Sequence, residues 1–187
     1  MEEVEAQFQK SLKNIQTEKA GLRYLLADPR IQKADMPTKQ EILRLIRADG
    51  NFGPQTFDAV MTPIPMPPLT AATIEAVFPE LRLIEMKTTR KPIKDASLNG
   101  FFFGATEREY ELATLLGERF LFAFVVLNSQ NAYGHPFAVL LPLSEVARRT
   151  RSRRTQYQVT FRTDITDLYL HEAGILLQHP QEAGSAT

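Results

Sequence analysis

The chain contains no cysteine, which excludes a disulfide framework, thiolate zinc sites, iron–sulfur clusters and a cysteine nucleophile. Its three histidines, His135, His171 and His179, lack the spacing of metal ligands, so histidine-based zinc chemistry has no footing either. No apolar run approaches the roughly 18 residues of a membrane-spanning helix. The opening stretch MEEVEAQFQK carries glutamates where a secretory signal has basic residues before an apolar segment, so a cytoplasmic location and no membrane partner are expected. Net charge is missing as well: 22 basic and 22 acidic side chains cancel, and any case for a nucleic-acid partner must rest on local clusters. What is present is a chain of 187 residues, 43% hydrophobic and 24% charged, with enough apolar surface to fold as one domain and too much for a disordered regulator.

From Glu2 to about Leu26, apolar residues recur every three or four positions and predict a long amphipathic helix, ended by Asp28-Pro29. A second helix is expected from about Pro37, with Thr38 and Glu41 at capping-box spacing. Thr56 to Met61 alternates as a short strand. The segment from Thr62 to Leu69, with four prolines, reads as a rigid connection. Thr70 to Phe78 predicts a threonine-capped helix, and Glu80 to Thr88 a strong strand. Thr106 and Glu109 form a further capping box, opening a helix that ends at Gly117, with Tyr110, Leu112, Ala113, Leu115 and Leu116 facing inward. The uninterrupted run FLFAFVVL, Phe120 to Leu127, is the composition of a central strand covered on both faces. Beyond it lie an expected strand over 137–141, a short helix over 143–147, an arginine-rich turn over 148–154 and a strand over 156–162.

In LRLIEMK, the period of two places Leu81, Leu83, Glu85 and Lys87 on one face. A carboxylate and an ammonium thus leave an apolar strand side by side. Such charges are costly to bury unless they are paired or bind a metal, which marks them as candidates for chemistry rather than packing. The strand, its basic loop, the capped helix and the apolar strand make a β-α-β unit, whose two strands should be parallel neighbours. Asp58 lies upstream on the short strand.

This order, a helix, a strand with an acid in TFDAV, a Glu-x-Lys strand in LIEMKTT, then GATEREYELATLLGERFLFAFVVLN, resembles the PD-(D/E)xK superfamily of restriction-endonuclease-like nucleases over roughly residues 38 to 128. Two features depart from the family pattern: no proline precedes Asp58, and a proline-rich segment with a helix stands where a tight hairpin is common. The resemblance implies an α/β fold with a mixed sheet flanked by helices. It also implies a Mg²⁺-dependent DNA endonuclease of restriction type, with Asp58 and Glu85 as metal ligands, Mn²⁺ as a substitute ion and Lys87 as the electrostatic catalyst. Glu41 is a further candidate, because some members use an acid of the first core helix; its other role is in the cap. On this reading one domain spans 1–187, with an N-terminal helical extension over 1–36, a nuclease core over 38–128 and C-terminal strands with a basic arm over 129–179. Double-strand cleavage needs two sites and implies a homodimer.

Two basic clusters fit a DNA partner. Arg82 to Lys94 holds five basic residues against one acid, and of these Arg90, Lys91 and Lys94 follow the Glu-x-Lys strand. Arg148, Arg149, Arg151, Arg153 and Arg154 form the second run, suited to phosphate contacts. Phe101 to Phe103 offers rings either for base stacking or for core packing. The competing expectations are a nuclease-like fold without catalysis that binds DNA or protein, and a regulatory α/β protein in which Glu85 and Lys87 are a surface pair.

Overall fold

The structure, a computed structural model, describes residues 2–46 and 52–149, apart from the side chains of residues 2–11 and 149. The chain divides into two compact units, Met1–Thr150 and Arg151–Thr187. The second unit, and with it the expected strand over 156–162, lies outside the described residues.

Five strands form one mixed sheet in sequence order: β1 (Ile31–Gln32), β2 (Ala59–Met61), β3 (Arg82–Thr89), β4 (Phe120–Val126) and β5 (Phe137–Pro142). The helices are α1 (Glu2–Leu25), α2 (Met36–Ile46), α3 (Ile74–Val77), α4 (Glu107–Leu116) and α5 (Leu143–Arg149). Neighbouring strands are antiparallel except β3 and β4, which run parallel. A parallel pair needs a crossover, and α4 supplies it. The described residues therefore form a mixed α/β fold, a five-strand mixed sheet with flanking helices. No helix among the described residues is long and apolar enough to cross a membrane.

Every residue of β4 is buried, as its continuous apolar run requires of a strand with neighbours on both edges and helices on its faces. One face of the sheet packs Val60, Leu83, Phe120, Phe122 and Phe124 against Ile42 of α2 and Leu112 and Ala113 of α4. The other packs Ile84, Leu121, Ala123 and Val125 against Leu22 and Leu25 of α1. At α4 both halves of the capping box form: Thr106 Oγ1 accepts from the Glu109 N–H at 3.2 Å, and Glu109 Oε2 accepts from the Thr106 N–H at 3.1 Å. Gly117 ends the helix at φ 55°, where a Cβ is penalised, with its N–H donated to Ala113 O.

Several expected elements are corrected. The cap of α2 is Asp35, whose Oδ1 accepts the Thr38 N–H at 2.9 Å. Thr38 is buried inside the first turn and Glu41 pairs with Arg44 at 2.6 Å, so the capping box at these two residues does not form. Proline explains the shift: Pro37 has no N–H to satisfy and belongs in a first turn, which moves the cap ahead of it. The strand expected over 56–61 shortens to Ala59–Met61, because the chain bends at Asp58. The helix expected over 70–78 shrinks to Ile74–Val77 followed by a 3₁₀ turn, Phe78–Glu80. Its Thr73 makes no cap bond; the hydroxyl binds Thr70 instead. Leu115 of α4 is 58% exposed, since the buried stripe of that helix is Glu109, Leu112 and Ala113.

Gly21 sets the approach of α1 to β3. A Cβ there would overlap Thr88 Oγ1 and lie 2.9 Å from Thr88 Cγ2 and 3.0 Å from Met86 Sδ. Threonine is stiff at χ1 and gives way poorly. Gly21→Ala, which in an exposed helix would gain up to about 1 kcal/mol, is expected here to destabilise by about 1–3 kcal/mol. Urea denaturation checks the sign.

Candidate functional site

Parallel register sets Glu85 of β3 opposite Phe122 of β4 and Lys87 opposite Phe124. Both charged side chains therefore share the face covered by α2 and α4, next to the phenylalanine core rather than in solvent. The Glu85 side chain is 9% exposed and that of Lys87 13%. Lys87 Nζ donates to Glu85 Oε1 at 2.8 Å and to Glu109 Oε2 at 2.7 Å. The expected pair at a strand end is in fact a buried triad.

Glu109 is the residue that the sequence reading left in its cap. One oxygen, Oε2, accepts both the Thr106 N–H and the Lys87 ammonium. A topological signal was available: in a β-α-β unit the crossover helix begins just after the first strand ends, which brings the acid of its first turn back toward the lysine. The helix dipole favours an anion at that position.

Asp58 joins the group from the bend before β2. Its N–H donates to Ile84 O at 2.8 Å, and its Oδ2 accepts the Met86 N–H at 2.8 Å. These two bonds bracket Glu85, so the Asp58 carboxylate is fixed to β3 at the level of that residue. Asp58 therefore replaces a rung of the ladder with a side-chain bond. Among the described residues, Asp58 Oδ1 and Glu85 Oε2 accept no hydrogen bond.

Electrostatics follow from this crowding. Burial first, then the charge of Asp58, push the Glu85 carboxyl up to about 8; Lys87 pulls the other way and Glu109 adds to the rise. Burial works against the Lys87 ammonium, but Glu85 and Glu109 outweigh it and hold its pKa above that of an ordinary lysine. The directions are consistent: the pocket has more negative charge than one ammonium offsets.

The residue that α2 sends toward the site is Lys39, not Glu41. Lys39 Nζ donates to Phe57 O and, at 3.0 Å, to Pro54 O, and lies 4.8 Å from the Phe57 ring centroid. It thereby ties the segment before Asp58 to α2. Burial lowers its pKa, against the opposing pull of Asp58 and Glu85. The sequence did carry a signal for it: Lys39, Ile42, Leu43 and Ile46 share one helical stripe, so this lysine belongs to the inward face. A cavity of 330 Å³ opens beside it, with Lys39, Phe57 and Asp58 in the wall. Lys87 meets the start of α4 instead.

The basic residues divide. Arg90 is exposed and donates through Nε to Thr17 Oγ1 of α1 at 3.0 Å. Lys91 and Lys94 are exposed on the connection between β3 and α4. Arg148 is paired with Glu145 at 2.6 Å, an acid one turn earlier. The Arg149 side chain, Arg151, Arg153 and Arg154 lie outside the described residues. His135 is an exposed loop residue, with Nδ1 2.8 Å from Pro136 O.

Among the described residues no group of three or more histidine, aspartate and glutamate side chains is arranged to hold a metal ion. A cation at this site would have Asp58 and Glu85 as its side-chain ligands and water for the rest, a set that suits Mg²⁺, which keeps several waters and takes one or two carboxylates. Comparison with protein-family models, curated proteins and solved structures returns no match.

Proposed function

We propose that the chain is a Mg²⁺-dependent DNA endonuclease of restriction-endonuclease-like fold, acting on phosphodiester bonds at the Asp58, Glu85 and Lys87 site, with Mn²⁺ as a substitute ion. The observation that carries this reading is the convergence of two carboxylates, one from the bend before β2 and one from β3, beside a buried lysine, with the Glu85 carboxyl driven far up by burial and by Asp58. Ionised carboxylates crowded in this way gain most from a divalent cation. The order of elements supports the fold: an acid before β2, Glu-x-Lys on β3, a crossover helix and a parallel apolar strand.

In this reading Asp58 and Glu85 hold the ion. When bound, Mg²⁺ supplies Lewis acidity at a phosphate oxygen and lowers the pKa of a coordinated water. Lys87, kept charged by Glu85 and Glu109, stabilises the negative charge that builds on phosphorus, and Glu109 holds the ammonium in place. Lys39 positions Asp58 by anchoring Phe57 and Pro54. Arg90, Lys91 and Lys94, with the arginines at 148, 149, 151, 153 and 154, are the proposed phosphate contacts, and a restriction role in a cytoplasmic homodimer completes the proposal.

A second reading has one observation in its favour. Lys87 already has two carboxylate partners, as a structural ion triad would, and a nuclease-like module that binds DNA or protein without cleaving it would keep this arrangement.

A magnesium titration followed by thermal unfolding tests the ligand assignment. At 100 times its dissociation constant, Mg²⁺ is expected to stabilise the wild type by about 2.7 kcal/mol. Asp58→Asn should lose most of that gain. Equal gains in the two proteins would remove Asp58 from the metal site.

A further inference from the structure

The three consecutive phenylalanines after β3 are divided by the structure into two anchors and one free ring. Phe101 packs edge-on against Phe124, with centroids 5.2 Å apart and planes at 82°, and Phe103 does the same at 4.9 Å and 74°. Phe103 also approaches Phe122 at 6.2 Å. Phe102 between them is 84% exposed, the largest exposure among the large apolar side chains described. Leaving such a ring in water gives up the burial free energy that its neighbours gain.

The ring is not on a loose segment. Ser97 N–H donates to Asp95 Oδ1 at 2.9 Å, Leu98 N–H to Asp95 O at 3.2 Å, and Phe101 N–H to Leu98 O at 2.9 Å. Leu98 is held at φ 61° and Gly100 at φ 84° to make these turns. With both flanking rings half-buried and packed against the core, Phe102 points outward. The rings on which its two neighbours pack, Phe122 and Phe124, are the register partners of Glu85 and Lys87, so the segment that carries Phe102 lies against the strand next to the one that bears the proposed chemistry. Lys91 and Lys94 are exposed on the same connection. A preordered aromatic with cations on its own loop, beside a site that handles phosphates, matches the pairing of stacking platform and positive groove in single-strand binding.

We propose that Phe102 is a base-stacking residue that takes an unpaired base of a DNA strand, so that the substrate is DNA opened locally at the point of cleavage. This rests on the reading of the site as one that works on DNA, and it narrows the substrate class. A paired base in a duplex offers its face to its neighbours and not to the protein.

The test is fluorescence anisotropy of a labelled thymidine oligonucleotide and of a labelled duplex in EDTA, where no metal-dependent cleavage occurs, using the wild type, Phe102→Ala and Phe102→Trp. The expected result is that alanine weakens single-strand binding about 5- to 100-fold, leaves duplex binding nearly unchanged and leaves the melting temperature where it was, while tryptophan restores the affinity. Wild-type protein without single-strand affinity, or an alanine variant that binds as well as wild type, would overturn the proposal. The same oligonucleotides are then incubated with Mg²⁺. Phe102-dependent binding without any cleavage would uphold the stacking site and reject the nuclease reading, so the two ideas fail separately.

Discussion

Lys87→Met is expected to slow cleavage by orders of magnitude and to weaken the fold at once. The ammonium is the shared partner of Glu85 and Glu109, at 2.8 and 2.7 Å, and all three side chains are nearly buried. Removing one member of a buried ion group strands the others, which typically destabilises by about 3–5 kcal/mol. Because the lysine pKa is raised in the fold, its contribution is fully present at neutral pH and would be lost only above the ordinary lysine range. The deficit of the variant should shrink as the pH falls below the raised value of Glu85, about 8, because the protonated carboxyl needs no counter-ion. Loss of a charge-stabilising group of this kind lowers turnover by about 10² to 10³-fold. Urea denaturation across pH, alongside a cleavage assay, separates the two effects.

Glu85→Gln is expected to do the opposite to stability. The carboxyl is raised from 4.5 to about 8 in the fold. A group raised on folding contributes stability that is fully present below its unfolded value and lost as the pH climbs through its folded one. Without divalent ions, wild-type stability should therefore fall between about pH 4.5 and pH 8, and level off above. Glutamine does not ionise, so its advantage should be negligible in acid, grow through that window and reach the order of a few kcal/mol above it. Thermal unfolding in EDTA at several pH values measures this directly. Parallel pH profiles for the two proteins would contradict the burial of a strained carboxyl.

The β-α-β unit was legible because its signals are local and agree: the Thr106–Glu109 box, the Gly117 stop and the apolar run of β4 all specify one arrangement. The same locality hid the rest of the site. Glu109 satisfied a cap, and only the topology of the crossover, not any local pattern, points to its second partner, which is 22 residues away in sequence. The helical stripe marks Lys39 as inward-facing, but its partners are backbone carbonyls, acceptors that every residue carries and that no pattern singles out. β1 is two residues long and exists only because Ile31 and Gln32 meet Met61 and Val60. At α2 two caps competed within three positions, and Pro37 decided for Asp35. Asp58 entered the candidate set through the order of elements that carries the family resemblance, but its role in bonding the Met86 amide comes from a bend that periodicity does not show.

The most direct test of the proposed chemistry is cleavage of supercoiled plasmid and linear single-stranded DNA by wild type and Glu85→Gln, with Mg²⁺, Mn²⁺ or EDTA. The glutamine variant is the informative one, since it should be the more stable protein. Metal-dependent nicking or cutting by the wild type, absent in EDTA and lost in this better-folded variant, is the expected result. Cleavage that Glu85→Gln retains, or no cleavage by the wild type with either ion, would contradict a metal-dependent nuclease at this site.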